Sequence, residues 1–385
     1  MQHKYCGHKI VYVCSTIFLK LTKIKEIANA LEMFAPLPLQ ESYDNAGLQV
    51  GLHEAEVKGA LLCLDVTEEV IDEAVTSECN LIISHHPLLF RPLKRITGAN
   101  YVERCILKAI SNNIAIYSAH TNLDNAAGGV NFKIAEKLGL KNVKILSPKE
   151  NTLLKIAVYV PLSHAESVRS ALFAAGCGTI GDYDSCSYNI VGEGTFRAGE
   201  NCSPFCGTVG ELHTEKEVRI ETILPAYLKN RALKALLAVH PYEEPAYDIY
   251  PLCNVWPTAG TGVIGELSEP VDAKEFLLAV KDIFGVELLM HTNLQSKKIT
   301  RVALCGGAGA SFARDAAVAG ADIYITGEGH YHDMFSYTEG MIMAVIGHYE
   351  SEQYTSELIS EILTRKFPDL KVKITEKRTN PIYYL

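Results

Sequence analysis

The chain has 385 residues, of which 48% are hydrophobic and 21% are charged, and its formal net charge is −9. This composition is typical of a globular protein with a sizeable core, and the length predicts two or three domains. The acidic balance argues against general binding of a nucleic-acid backbone, which requires clustered lysine and arginine.

The first twenty residues contain an apolar stretch, 10–19, that follows Lys4 and Lys9. The stretch is shorter than the roughly 20 residues of a membrane-spanning helix, and no small-residue cleavage site of a signal peptide follows it. We therefore interpret residues 1–20 as an N-terminal extension and expect no membrane segment.

The eleven cysteines are scattered, and several lie inside apolar runs such as 61–64. Buried free thiols are usual in such runs, so the pattern favours a reducing compartment over a disulfide framework. Cys202 and Cys206 have a C-x3-C spacing that could hold zinc. No second pair lies nearby, and two loop thiols are the favoured interpretation.

The first part of the chain alternates between helical patterns and short apolar runs. The helical period over 22–34 predicts an amphipathic helix that ends before Pro36. Three strands and a further helix are predicted after it, over 59–66, 80–84, 114–119 and 129–138. Such alternation predicts βαβ units on a mostly parallel sheet.

A second pattern begins after Pro148, where a strand over 154–160 and helices near 165–175 and 228–239 predict a smaller α+β domain. The α/β rhythm returns beyond Trp256. The strands predicted there cover 301–305, 322–326 and 341–346.

We therefore predict an α/β fold with a discontinuous core that is interrupted by an inserted domain. The core is assigned to residues 21–147 and 256–385, and the insertion to residues 150–252. The sequence contains no low-complexity tract and no convincing short repeat.

Imidazoles and carboxylates follow four predicted strands of the core, at the points where the strands end. In open α/β sheets, ligands bind in the crevice beyond the carboxyl ends of the strands. His348 and Glu352 are four positions apart, which places both on one face of a helix. The sequence therefore predicts a metal site made of His85, His86, Asp124, His348 and Glu352.

Three histidines and two carboxylates are too few to saturate two ions, so positions stay open for water or substrate, as catalytic sites require. We predict two divalent ions. Histidine and carboxylate ligands suit zinc, iron, manganese and nickel, and of these four metals we expect zinc or iron first.

Other polar residues near these strand ends have more than one interpretation. His120 could be a ligand, an orienting partner or a core histidine, and the orienting role is favoured. Glu328 and His332 are candidate catalytic acid–base groups or ordinary loop residues. The glycine-rich segment 305–311 could bind an anion, although tight strand–helix packing is favoured. Asp44 could cap a turn or orient a ligand.

Several motifs together resemble those of the Nif-three-like family of dinuclear-metal proteins, whose members are also called GTP cyclohydrolase I type 2 homologues. They are the segments 43–51, 84–87, 120–124, 326–333 and 347–352. The resemblance implies the same five metal ligands, a cytoplasmic protein and a homohexameric ring. The insertion is similar to PII and CutA-like modules through 178–183, 192–197 and 240–247, and it departs from them at 198–202, where a proline-containing loop is more usual.

These features lead to two functional hypotheses. The first is a metal-dependent hydrolase that acts on a nucleotide-like or phosphoester substrate, as the family name suggests. The alternative is a non-catalytic metal-binding regulatory or scaffold protein that forms a ring. The sequence fixes neither the substrate nor the physiological metal.

Overall fold

The computed structural model describes residues 22–294, 297–337 and 339–385, so the predicted extension, residues 1–20, lies outside the described part of the chain. The α-helices in chain order are α1 (Ile24–Phe34), α2 (Glu68–Thr76), α3 (Tyr101–Ser111), α4 (Thr121–Asp124), α5 (Val130–Lys137), α6 (Ala165–Ala174), α7 (Lys229–Val239), α8 (Ala273–Phe284), α9 (Ala313–Val318), α10 (Tyr331–Phe335), α11 (His348–Glu352) and α12 (Thr355–Lys366).

The strands form three sheets. In chain order they are β1 (Gly47–Val50), β2 (Ala60–Cys63), β3 (Leu81–Ser84), β4 (Ala115–Ser118), β5 (Lys141–Lys149), β6 (Leu153–Pro161), β7 (Tyr188–Arg197), β8 (Leu212–Pro225), β9 (Tyr247–Leu252), β10 (Trp256–Asp272), β11 (Met290–His291), β12 (Lys298–Cys305), β13 (Ile323–Thr326), β14 (Ile342–Val345) and β15 (Val372–Ile374).

The first sheet has the order β1-β4-β3-β2-β15, and it is parallel except for the antiparallel edge pair β1 and β4. Strands β2, β3 and β4 are fully buried. Side chains alternate between the two faces of a strand, so Leu62 and Ile83 enter one hydrophobic cluster while Leu61 and Ile82 enter another. Burial on both faces explains why these strands are continuous apolar runs.

The second sheet has the order β11-β14-β13-β12-β10-β5. Its central strands β12, β13 and β14 are parallel, and β10 pairs antiparallel with both β12 and β5. In the β5–β10 pair, Lys149 is the partner of Trp256. The two parts of the predicted core therefore join in this sheet. We predicted one mostly parallel sheet for the core, and the described residues form two.

The third sheet has the order β7-β8-β6-β9 and is antiparallel throughout. Helices α6 and α7 pack on it through a separate cluster that contains Val158, Leu172, Ile220 and Leu236. All of these elements lie within residues 153–252. The predicted α/β class is confirmed, and the domain boundaries stay a prediction.

One hydrophobic cluster joins the first two sheets and so fixes their strand ends relative to each other. It contains Ile27 of α1, Leu62 of β2, Leu304 of β12, Ile325 of β13 and Ile359 of α12. Among residues 22–294, 297–337 and 339–385, every helix falls short of the length and apolar character that a bilayer crossing requires.

Candidate metal centre

The candidate ligands come from two sheets. His85 and His86 directly follow β3, and their amides continue the ladder by donating to the carbonyls of Cys63 (3.1 Å) and Leu64 (2.9 Å). The chain then turns at Pro87. On the second sheet, two residues separate the end of β14 from α11, in which His348 is the first residue and Glu352 the last.

The predicted ligands lie together in two groups that share one carboxylate. His85, Asp124 and Glu352 form one group and His86, His348 and Glu352 the other, with the ligand atoms of each group within 4.8 Å of one another. Glu352 Oε1 is 3.6 Å from His85 Nε2, and its Oε2 is 3.0 Å from His86 Nε2 and 3.2 Å from His348 Nε2. The two oxygens of Glu352 thus face different groups.

His85 has a ring nitrogen that is suited to a metal ion. Its Nδ1 donates to the carbonyl oxygen of Ala119 (2.8 Å), which can only accept, so Nε2 of the neutral ring carries the lone pair. Nε2 is buried without a hydrogen-bond partner and faces Asp124 Oδ1 at 3.7 Å as well as Glu352. A lone pair facing two carboxylates needs a proton or a cation between them, and the donor set therefore fits a metal ion.

His86 and His348 are oriented in the same way, through carboxylates on the far side of each ring. His86 Nδ1 donates to Asp65 (2.8 Å), and His348 Nδ1 donates to Glu328 (2.7 Å). Such carboxylate–histidine pairs fix the tautomer and direct the other nitrogen towards a metal. Each Nε2 therefore points into the cluster, where the two are 3.2 Å apart.

The buried charges of the cluster shift the pKa values of its members. Burial lowers the pKa of His86 and His348, but hydrogen bonds to Asp65 and Glu352 outweigh it for His86 and raise its pKa to about 10. For His348, the contacts with Glu352 raise the pKa to about 9. In the metal-free protein, protons thus hold the place that a cation would take.

The two carboxylates of the cluster differ in their preference for the charged form. Burial raises the pKa of Asp124, which shares the site with the negative charge of Glu352. Burial also opposes ionisation of Glu352, but His85 and His348 lower its pKa well below the usual range. The cluster therefore keeps at least one permanent negative charge at its centre.

His120 lies beside the cluster and is held by Asp44. Its Nδ1 donates to Asp44 Oδ1 (2.8 Å), and its ring centroid is 5.3 Å from that of His85. Burial raises the pKa of Asp44, but the hydrogen bonds from His120 and Thr121 lower it to about 2. His120 also forms a potential ligand group with His85 and His86, so both the ligand role and the orienting role stay open.

The glycine-rich segment 305–311 packs against the cluster. The amides of Gly306, Gly307 and Gly309 donate to Asn131, Ser351 and Thr326, respectively. These donors are already used within the protein, which supports the packing interpretation over an anion cradle. Gly307 has a φ of +63°, and a Cβ there would collide with Glu352 Oε1, so glycine leaves room for the shared carboxylate.

The cluster opens into a cavity of about 700 Å³. His86, His120, His348 and Glu352 line it, and no lysine or arginine does so in the described part of the chain. Its aromatic lining consists of Tyr43, Phe90, Phe312 and Tyr349. A planar ring could stack there, whereas an anionic group would have to rely on bound cations and imidazoles.

Asp65 was missed by sequence reasoning, although it follows the carboxyl end of β2 and so lies at the same edge as the ligands. Glu328 is half exposed and holds His348, and His332 is exposed on α10. Neither residue is among the described residues that line the cavity. The catalytic roles of both stay predictions.

The fold and the cluster together define an α/β protein with a histidine–carboxylate site that can hold metal. A profile of the family described as Duf34/NIF3 (NGG1p interacting factor 3) matches residues 22–381. The chain therefore belongs to the Duf34/NIF3 family, as its motifs predicted.

Relatives and solved structures agree with this assignment. Proteins named GTP cyclohydrolase 1 type 2 homolog from Halalkalibacterium halodurans and Bacillus subtilis are 37% and 38% identical, over 95% and 94% of this chain and 100% and 98% of their own lengths. A Bacillus cereus protein related to NIF3 superposes with a TM-score of 0.81 at 39% identity, covering 95% of this chain and 100% of its own. A Staphylococcus aureus protein superposes with a TM-score of 0.75 at 28% identity, covering 95% of this chain and 99% of its own.

Proposed function

We propose that the protein is a metal-dependent hydrolase whose site holds two divalent ions. The observation that carries the proposal is the position of Glu352, which directs one oxygen to His85 and the other to His86 and His348. A carboxylate shared by two ligand groups is suited to two neighbouring ions. Asp124 completes the first group.

Imidazole and carboxylate ligands suit zinc, iron, manganese and nickel. We expect zinc or iron in this site, with manganese or nickel as alternatives. When bound, such ions supply Lewis-acid polarisation and activation of water for attack. The protein's own residues hold the imidazoles in one tautomer through Asp65, Glu328 and the Ala119 carbonyl. His120 lies next to the cluster with Nδ1 bound to Asp44, and its Nε2 is available to hold or pass a proton.

The cavity supports a nucleotide-like or phosphoester substrate. Its aromatic side chains suit a planar base, and its lack of lysine or arginine among the described residues leaves phosphate charge to the ions and imidazoles. The name GTP cyclohydrolase 1 type 2 homolog, carried by relatives that are 37% and 38% identical, agrees with a guanine nucleotide as the first compound to test.

Turnover of nucleotides and phosphoesters by the fully metallated protein tests the proposal. We expect hydrolysis that rises with pH near neutrality and is abolished in Glu352→Gln. If His332 is the general base, His332→Gln flattens the pH profile without removing metal. Absence of turnover at any pH would refute the hydrolase and favour the metal-binding scaffold.

We also propose a homohexameric ring in the cytoplasm, as the resemblance to the family implies. The nine cysteines among the described residues are all free thiols, which agrees with a reducing compartment. Light scattering on the purified full-length protein should give six times the mass of one chain. A monomer at micromolar concentration would contradict the ring.

A further inference from the structure

A second cluster of metal-ligating side chains lies in the third sheet, away from the site described above. Cys206, His213 and Glu215 place a thiol sulfur, a ring nitrogen and a carboxylate oxygen within 4.8 Å of one another. His213 Nε2 is 2.9 Å from Glu215 Oε2, and the Cys206 thiol is in hydrogen-bonding contact with Glu215. All three are partly exposed, so an ion can reach them from solvent.

The backbone builds this cluster from two segments. His213 and Glu215 are alternate residues of β8 and so lie on one face of the sheet. The loop 198–211 between β7 and β8 folds back over that face and brings Cys206 onto it. Its position is fixed by hydrogen bonds, including one from the amide of Ser203 to Glu243 (2.9 Å).

Gly207 allows the loop to approach His213 closely. Its φ is +82°, and a Cβ at this position would lie 2.8 Å from Cγ and 2.9 Å from Cβ of His213. Any other residue would therefore be strained in its backbone and would push the imidazole away. The glycine next to Cys206 thus keeps the thiol and the imidazole together.

The electrostatics of this face favour a cation. Glu217 lies two residues beyond Glu215 on the same face of β8, and Tyr242 donates to it (2.9 Å). In the described residues, neither carboxylate forms an ion pair with lysine or arginine, and the ion pair of Glu215 is with His213. Two carboxylates beside a thiol and an imidazole leave a net negative charge that a divalent ion would neutralise.

We propose that Cys206, His213 and Glu215 form a second metal site, which takes a zinc-class divalent cation. Sulfur, nitrogen and oxygen donors together suit zinc, and ligand atoms around a tetrahedral zinc ion lie about 3.3–3.8 Å apart. Binding releases the thiol proton to solvent, because sulfur binds the metal as the thiolate, and the neutral imidazole of His213 binds through Nε2 with its proton on Nδ1. Three protein ligands leave a fourth position for water or a ligand. The ion fixes the loop that forms one wall of an aromatic cavity of about 450 Å³.

In this part of the chain the sequence suggested zinc only through the spacing of Cys202 and Cys206, and the structure groups Cys206 with His213 and Glu215 rather than with Cys202. Cys202 is exposed and is absent from the ligand group, which provides a matched control in the same loop. His213 and Glu215 instead supply the other ligands, in a Cys-x6-His-x-Glu pattern.

Cobalt titration of the full-length protein tests the proposal, because a thiolate ligand gives Co²⁺ an intense near-ultraviolet charge-transfer band. The ligand groups of the first site contain no cysteine. We expect the band in the wild type and in Cys202→Ser. Cys206→Ser should lose both the band and one equivalent of bound cobalt. Glu215→Gln should bind cobalt at this site at least tenfold more weakly.

Three results would overturn the assignment. They are no thiolate band in the wild type, a band that persists in Cys206→Ser, and a band lost equally in Cys202→Ser. Should Cys206→Ser fail to fold, the shift in affinity of Glu215→Gln decides the question, since an unchanged affinity would exclude this residue as a ligand.

Discussion

Replacing Glu352 by Gln should weaken the binding of both metal ions that we propose for the histidine–carboxylate centre. The carboxylate faces both ligand groups, so the substitution removes a charged ligand from each while conserving shape. Loss of a residue that only orients a ligand costs about 10–100-fold in metal affinity, so loss of the shared ligand should cost at least about 100-fold at each ion. This factor corresponds to about 2.8 kcal/mol per ion at about 1.4 kcal/mol per tenfold.

The measurement is metal content against free metal concentration, with circular dichroism to verify folding. Asp124→Asn should lose one ion, because Asp124 belongs to one group only. Glu350→Gln is a matched control, since Glu350 is also buried on α11 but binds Asn380 (2.7 Å) and belongs to neither group. Two ions bound with unchanged affinity in Glu352→Gln, or equal loss in Glu350→Gln, would refute the shared-ligand reasoning.

Four further predictions concern the same centre. Asp65→Asn should weaken metal binding about 10–100-fold with all ligands intact, as measured by competition with a chelator, because His86 loses the acceptor that orients it. Metal affinity should rise with pH, because the raised pKa values of His86 (about 10) and His348 (about 9) mean that metal displaces protons. Conversely, the free energy of unfolding of the metal-free protein should fall as the pH rises from about 6.5 through these values, because the folded state holds these two protons more tightly than the unfolded state. Thermal melts measure this change, and a melting temperature that does not vary with pH would contradict the raised pKa values. Replacing residues 150–252 by a short linker should leave a soluble, metal-binding core, since the flanking Lys149 and Trp256 are cross-strand partners; a soluble protein without metal would mean that the insertion contributes to the site.

The α/β class and the grouping of the candidate ligands could be predicted because the buried strands are short apolar runs with polar residues at their ends. His85 follows β3 and His348 follows β14 almost directly, and the candidate ligands do lie together at these strand ends. The same rule applied to β2 would have found Asp65. Asp65 lies inside the strand that we predicted over 59–66, whereas β2 ends at Cys63, so it was not recognised as a residue beyond the strand end.

The division of the core into two sheets could not be predicted from periodicity. Strand β10 pairs with β5 across the whole insertion, and periodicity describes which face of a strand is buried but not which strand lies beside it. Likewise, the second cluster depends on a loop that folds back over its own hairpin. The spacing of Cys206 and His213 does not reveal that contact.

The hydrogen bond from Thr379 to Asp65 (2.9 Å) joins residues that are 314 positions apart in the sequence, and Asp65 in turn orients His86. Closing so long a loop has an entropic cost, and contacts of this kind slow folding. During translation, the histidine pair emerges from the ribosome long before β15 can dock beside β2. A nascent chain that stalls before β14 thus carries three of the five candidate ligands, His85, His86 and Asp124, on an incomplete sheet, and the complete centre forms only in the last stage of folding.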